Sequence, residues 1–278
     1  MDSIIARARR WLLAAFAIGV LAGCATTPGV MPGQLQQAKH IAVTSLAGDV
    51  AWFGYTGITV FENSESTLPI AEWALDARIE SAVDESLRKA GARQVTTLKL
   101  DRASTAKAFR TPRLPSHAEE RWREPAFRDP LLAAARAAGA DMLVLVVPSF
   151  NRPAQHRAER LYGFSVSAVG SPLRANPTGI SAVLSAQVAA IDVASGQLLA
   201  EREVSAAPPK NAWTGNRPTE KFEPTRWDRG FKTPPEGDRL AMTRAAFEKL
   251  TPAVGGAVVR LLDPPPAAET VPRPNTPR

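Results

Sequence analysis

Residues Gly139–Ser149 read GADMLVLVVPS, and Met142 to Val147 within them are six consecutive apolar residues without polar alternation. A strand wetted on one face alternates apolar with polar side chains. A short unbroken run rich in Val and Leu instead reads as a strand buried on both faces. Such a strand belongs to a layered α/β sheet.

The flanking sequence supports that architecture. Upstream, Asp129-Pro130 resembles a helix N-cap followed by proline at the first helical position. The spacing predicts a helix over Leu131–Ala138, ended by Gly139. Further upstream, Leu75, Ile79, Val83 and Leu87 recur every four residues and predict a helix over Ile70–Ala90. Asp76, Glu80, Asp84, Glu85, Arg88 and Lys89 take its other face, read as solvated. Acids early and bases late complement the helix dipole. His40–Leu46 and Val95–Leu100 read as strands around that helix. Gly48–Asn63 reads as a bent hairpin or long loop returning near Ile58–Phe61. Residues 101–128 are charged and broken by Pro112, Pro115 and Pro125, so an irregular surface excursion is expected, with a short helix near Ala118–Arg123.

Downstream, Leu161–Val169, Ile180–Val193 and Leu198–Ser205 read as an antiparallel meander, its last two strands joined by a turn at Asp192–Gln197. Residues 207–238 are Pro-rich and read as a long loop holding Trp213 and Trp227. Leu240 to Leu261 repeat at helical spacing, with Pro252 kinking or splitting the helix. The expected body is therefore one α/β (α+β) domain over residues 39–262. It has a mixed sheet, packed helices and a meander in its second half. A Pro-rich tail at 263–278 reads as disordered.

The first residues have a different character. Arg7, Arg9 and Arg10 precede a ten-residue apolar run, Trp11–Val20. That is too short for the roughly 20 residues of a membrane-spanning helix and fits a secretory signal peptide. Leu21-Ala22-Gly23-Cys24 follows, and Cys24 is the single cysteine of the 278 residues. These four residues resemble the lipobox of bacterial lipoproteins. The resemblance implies recognition of Leu21, Ala22 and Gly23 by a signal peptidase, removal of residues 1–23, and acylation of Cys24. Residues 24–38 would then tether the domain to the membrane. Two or three buried acyl chains anchor a protein stably, at roughly 0.8 kcal/mol per CH₂. Ala25 in place of Asp after the cysteine implies an outer-membrane anchor facing the periplasm.

The order of the elements resembles the α/β domain shared by the curli secretion lipoprotein family and the amino-terminal domain of TolB. The matching motifs are Gly139-Ala140-Asp141, entering the buried strand, and Asp192-Val193-Ala194-Ser195-Gly196, linking two later strands. Both are structural, so no functional residue passes by resemblance.

Net charge is +7, and loss of three Arg and one Asp with residues 1–23 lowers it by two. The excess is spread along the chain without a basic run, and an exported lipoprotein is a poor partner for nucleic acid. His40, His117 and His156 lie in unrelated contexts, and no HExxH, Gly-x-Ser-x-Gly or phosphate-cradling loop occurs. The expectation is no catalytic residue, no metal and no cofactor.

Three clusters stand out as candidates for interaction. Asp76, Glu80 and Asp84 could ligate a metal or polysaccharide, or form a solvated face. Asp49, Trp52 and Tyr55 surround Gly54–Gly57, which could approach a ligand or simply pack as a hairpin. Trp213 and Trp227 sit among Lys210, Arg217, Lys221, Arg226 and Arg229, as a partner surface or as pins for a loop. The leading expectation is a non-catalytic binding or assembly module of the cell envelope, joined to the membrane by Cys24 and to an envelope protein or polymer. One alternative is a homo-oligomeric secretion channel, with Tyr162–Val169 and Ile180–Ala190 extended into membrane hairpins. The other is an envelope-polymer hydrolase.

Overall fold

A computed structural model describes residues 34–57, 61, 63–111, 117–151, 161–169, 178–204, 218–223 and 235–263. The tether up to residue 33, the tail from 264, Cys24 with its lipobox, Trp213 and Trp227 lie outside the described residues.

Among the described residues ten strands form one mixed sheet. After a short helix α1 (Gln34–Gln37) come β1 (Ile41–Ser45), β2 (Val50–Thr56) and β3 (Ser64–Pro69). A 3₁₀ turn (Ala71–Trp73) leads into α2 (Leu75–Lys89), followed by β4 (Val95–Thr97). Helices α3 (Arg102–Arg110), α4 (Ala118–Trp122) and α5 (Pro125–Ala137) precede β5 (Met142–Pro148). Then β6 (Phe150–Asn151), β7 (Leu161–Val169), β8 (Thr178–Asp192), β9 (Leu198–Glu203) and β10 (Thr219–Lys221) complete the sheet. The helices α6 (Gly237–Leu250) and α7 (Pro252–Leu262) end the domain, split at Thr251 and Pro252 as the sequence predicts.

The strand Met142–Pro148 is buried along its whole length, between parallel β1 and antiparallel β8. Its alternation explains why both faces had to be apolar. Met142, Val144 and Val146 pack against α2, α6 and α7, whereas Leu143, Leu145 and Val147 pack against α3, α4 and α5. Burying each Val or Leu contributes about 1.5–3 kcal/mol. The result is a helix–sheet–helix sandwich of the α/β class.

The fifteen-residue β8 unites two half-sheets. Its first half pairs with β7 and β10, and its second half with β5 and β9. The meander is thus real, with β8 as its shared strand. Phe164, Val166, Ala168, Ile180, Leu184 and Val188 are buried in the core, so Tyr162–Val169 and Ile180–Ala190 lie in this domain's sheet with one face packed. The reason is their apolar face, which α6 covers through Phe247, 5.0 Å from Phe164 between ring centroids.

Both motifs of the resemblance act on the backbone. Asp141 accepts the Lys39 and His40 amides at 3.0 Å each and ties the entry of β1 to β5. Asp192 accepts the amide and hydroxyl of Ser195 at 2.6 and 2.7 Å and closes the β8–β9 turn. Those two bonds hold its carboxyl below the usual aspartate value.

Five expectations need correction. Residues 101–111 are not irregular: α3 occupies Arg102–Arg110, α4 is the expected short helix, and Phe109 and Trp122 pack on Phe127 at 5.3 and 6.3 Å between ring centroids. The same packing carries the start of α5 back to Pro125, leaving Pro130 inside the helix without an amide donor. The helix expected from Ile70 begins at Leu75, because β3 and the 3₁₀ turn take the residues before it. The strand that pairs back on β2 is Ser64–Pro69, and Ile58–Val60 of the expected return lie outside the described residues. Within 207–238, Thr219–Lys221 is a strand on β8.

Candidate functional site

The site begins where β1 stops. Parallel β1 pairs with β5, whereas β2 pairs with β7, so the chain must cross from one half-sheet to the other at residues 46–49. Crossing frees backbone donors inside the core, and buried donors need partners. Two carboxylates of α2 supply them. Asp76 Oδ1 accepts the Ser45 hydroxyl at 2.6 Å and the amides of Ala47 and Gly48 at 2.9 Å each. Glu80 Oε1 accepts the Ser45 amide at 3.0 Å, and its other oxygen pairs with Arg102.

Gly48 is required here by space. A Cβ on it would stand 2.8 Å from the Asp76 nitrogen and 2.9 Å from Leu75 Cβ. Asp76 and Glu80 are buried, not solvated. The four-residue spacing that places them on one face is the same in either case; what differs is that this face meets the β1–β2 crossing. Asp84 behaves as expected of a surface acid and pairs with Arg88 at 2.8 Å.

Burial pushes the Asp76 carboxyl above its ordinary value, against the opposing pull of the Ser45 hydroxyl and the Gly48 amide. Burial does the same to Glu80, opposed by the Ser45 amide and Arg102.

Beside this clasp lies a cleft of about 500 Å³. One wall is Ala71, Ala74, Asp76 and Ala77; the facing wall is α3, through Arg102, Ala103, Ala106 and Arg110; Asp49, Val50 and Pro69 close it. Clefts of 300–1,000 Å³ with apolar walls and a few convergent polar groups are the usual form of a binding site. Arg110 pairs with Asp49 across the cleft end. Ala74, the residue before α2, holds φ 53° and ψ 34° and offers no side-chain cap. For a residue with a Cβ this left-handed conformation costs roughly 1–2 kcal/mol.

Of the residues singled out from sequence, Asp49 and Trp52 fall on one side of the sheet and Tyr55 on the other. Trp52 packs edge-on against Tyr162 at 5.7 Å, in the core beneath α3 to α5, whereas Tyr55 packs against the opposite core. The three do not form one site. Gly54 lies in the strand with open space where a Cβ would be, so no close approach explains it. Tyr162 reaches the Trp52 side because Gly163 takes φ +59° and reverses the alternation of β7. Its phenol is buried, which raises its pKa. Arg102, Arg110 and the alanine walls were missed from sequence; the signal for them was Arg102-Ala103, Ala106 and Arg110 on one stripe of α3, hidden inside a segment read as irregular. Among the described residues no group of three or more His, Cys, Asp or Glu is placed to hold a metal ion.

No known family model matches the chain, and no curated protein sequence does. Solved structures similar to it include the PelC dodecamer from Paraburkholderia phytofirmans, at 11% identity over 83% of this chain and 94% of that one, with a TM-score of 0.25. The LpoB C-terminal domain from Salmonella enterica is similar at 14% identity, over 66% of this chain and 87% of that one, with a TM-score of 0.19. Protein XCC0632 from Xanthomonas campestris is similar at 9% identity, over 86% and 89%, with a TM-score of 0.31. No residue role passes from them to this chain.

Proposed function

We propose that the chain is a lipoprotein of the cell envelope, anchored through Cys24 in the outer membrane and facing the periplasm, whose α/β domain binds or assembles with another envelope component without turnover. The observation that carries the binding half is the cleft between α2 and α3. Its carboxylates are occupied in holding the fold or in pairing with arginine: Asp76 and Glu80 clasp the β1–β2 crossing, and Asp49 holds Arg110. A general acid or base must instead be free to exchange a proton with a substrate. The apolar walls and flanking guanidinium groups suit recognition.

The anchoring half rests on Leu21-Ala22-Gly23-Cys24 and on the apolar run before it. No helix among the described residues is long and apolar enough to cross a membrane. Fractionation of cells carrying Cys24→Ser tests it. The wild-type chain is expected in the outer-membrane fraction and the variant in the soluble periplasm or retained unprocessed. A variant that is processed and still membrane-bound would refute the anchor.

A further inference from the structure

The start of α4 is pinned to the sheet by side chains of two neighbouring strands, neither of which lines the cleft. Gln187 of β8 and Glu201 of β9 share the sheet face on which Ala189 packs against α3 to α5. Gln187 Oε1 accepts the Ala118 amide at 2.6 Å, and Glu201 Oε2 accepts the Glu119 amide at 3.1 Å. Both are donors that a helix cannot satisfy from within its own first turn. His117, the residue before α4, does not cap the helix with its ring. Its Nδ1 lies instead 3.0 Å from Gln187 Nε2 and 3.5 Å from Glu201 Oε1.

The Ala118 amide fixes which way the Gln187 side chain points. A backbone N–H donates, so the atom facing it is the carboxamide oxygen, and the group facing His117 is the NH₂. An NH₂ donates in turn, so His117 Nδ1 is an unprotonated acceptor and the ring is neutral. Protonation reverses that requirement. Nδ1–H and the Gln187 NH₂ would then be two donors facing each other. Gln187 cannot turn over in answer, because its NH₂ would meet the Ala118 N–H, and the residue is only 3% exposed. Among the described residues the acceptor beside Nδ1 is the Glu201 carboxylate.

The charged groups around the ring come from α4 and β9, while β8 contributes the uncharged Gln187. On α4, Glu119 pairs with Arg123 and Arg121 with Glu124, and Glu120 lies between them in sequence. On β9, Glu203 stands beside Glu201 on the same face, opposite Gln187. These surroundings are mainly acidic, which suits a ring that gains a proton. Histidine is the side chain whose charge changes between about pH 5 and 8.

We infer that His117 is a proton-operated latch at the start of α4. Unprotonated, the ring accepts from Gln187; on taking a proton it leaves Gln187 and pairs with Glu201. The Gln187 NH₂ must then find another acceptor. Residues 111–116 join His117 to Arg110, which pairs with Asp49 at the end of the cleft. The latch therefore adjusts the anchor of the segment that carries one cleft wall. It stands independently of what the cleft binds.

The test is an NMR titration of the full chain in detergent from about pH 8 to about pH 5. It follows the Gln187 side-chain NH₂, the Ala118 amide and the His117 ring. The two Gln187 and Ala118 signals are expected to move with the ring at one shared midpoint, and to lose that transition in His117→Asn. Glu201→Gln keeps an acceptor for the Glu119 amide but removes the anion, so the ring's proton affinity should fall at least about threefold. Gln187→Leu removes the donor to the neutral ring and should raise it. Opposite movements mark a ring that changes partners, which packing alone does not produce. A Gln187 NH₂ signal that stays still while the ring titrates would overturn the inference. So would a Glu201→Gln midpoint equal to or above that of the wild type, a result that stands whether or not Gln187→Leu folds.

Discussion

The hydroxyl of Ser45 donates to the Asp76 carboxylate across 2.6 Å, joining the last residue of β1 to the first turn of α2. With the Ala47 and Gly48 amides on the same oxygen, this contact holds the point where the chain passes between half-sheets. Removing Asp76 leaves three donors to find other partners in a mostly buried place. Asp76→Ala is therefore expected to cost about 2–4 kcal/mol, read as a lowered urea midpoint at unchanged slope. Asp76→Asn keeps an acceptor and should cost less. Equal stability of Asp76→Ala and wild type would show that the clasp does not hold the crossing.

Asp76 and Glu80 also set a pH dependence. Both are raised by burial from ordinary values of 3.8 and 4.5. A carboxyl whose folded pKa lies above its unfolded one binds its proton more tightly in the folded state. Its contribution to stability is full below the ordinary value and is lost as pH rises through the raised one. Between about pH 4 and the raised values, Asp76→Asn and Glu80→Gln are each expected to remove a component of stability that declines with rising pH. Denaturation curves at closely spaced pH check this. Parallel pH profiles for variants and wild type would contradict it.

Helices α2 and α7 cross at Gly255, where a Cβ would lie 2.2 Å from Ser86 Oγ and 2.6 Å from the Ala82 carbonyl oxygen. Gly255→Ala should destabilise by about 1–3 kcal/mol through overpacking. Because one clash is with backbone, adding Ser86→Ala should restore only part of the loss. Thermal melts of the single and double variants measure both, and an unshifted Tm for Gly255→Ala would refute the close crossing.

Among the described residues the buried Tyr162 hydroxyl has no hydrogen-bond partner. Tyr162→Phe is therefore expected to be neutral or stabilising by up to about 1 kcal/mol, with the ring contact to Trp52 kept. A loss above 1 kcal/mol in urea melts would mean that the hydroxyl is satisfied.

What could be read from sequence was whatever a short period encodes. Met142–Val147, the α2 stripe of Leu75, Ile79, Val83 and Leu87, and the break at Pro252 are local patterns, and each appears in the structure as an element with that boundary or face. The second core was not legible. Phe109, Trp122 and Phe127 are spread among prolines and charges, and only their meeting beneath the sheet makes helices of that segment. The site failed for the same reason. Spacing put Asp76 and Glu80 on one face of α2, but whether that face meets water or the β1–β2 crossing depends on residues thirty positions earlier. Strand alternation could have separated Trp52 from Tyr55, whose odd offset sends them to opposite faces.

Cys24 carries the central claim, and the mass of the native protein tests it most directly. Chain isolated from the membrane should begin at Cys24, lack residues 1–23, and exceed the mass of the remaining polypeptide by a diacylglyceryl group and an amide-linked acyl chain. A chain that begins at Met1, or one whose Cys24 carries no lipid, would contradict it.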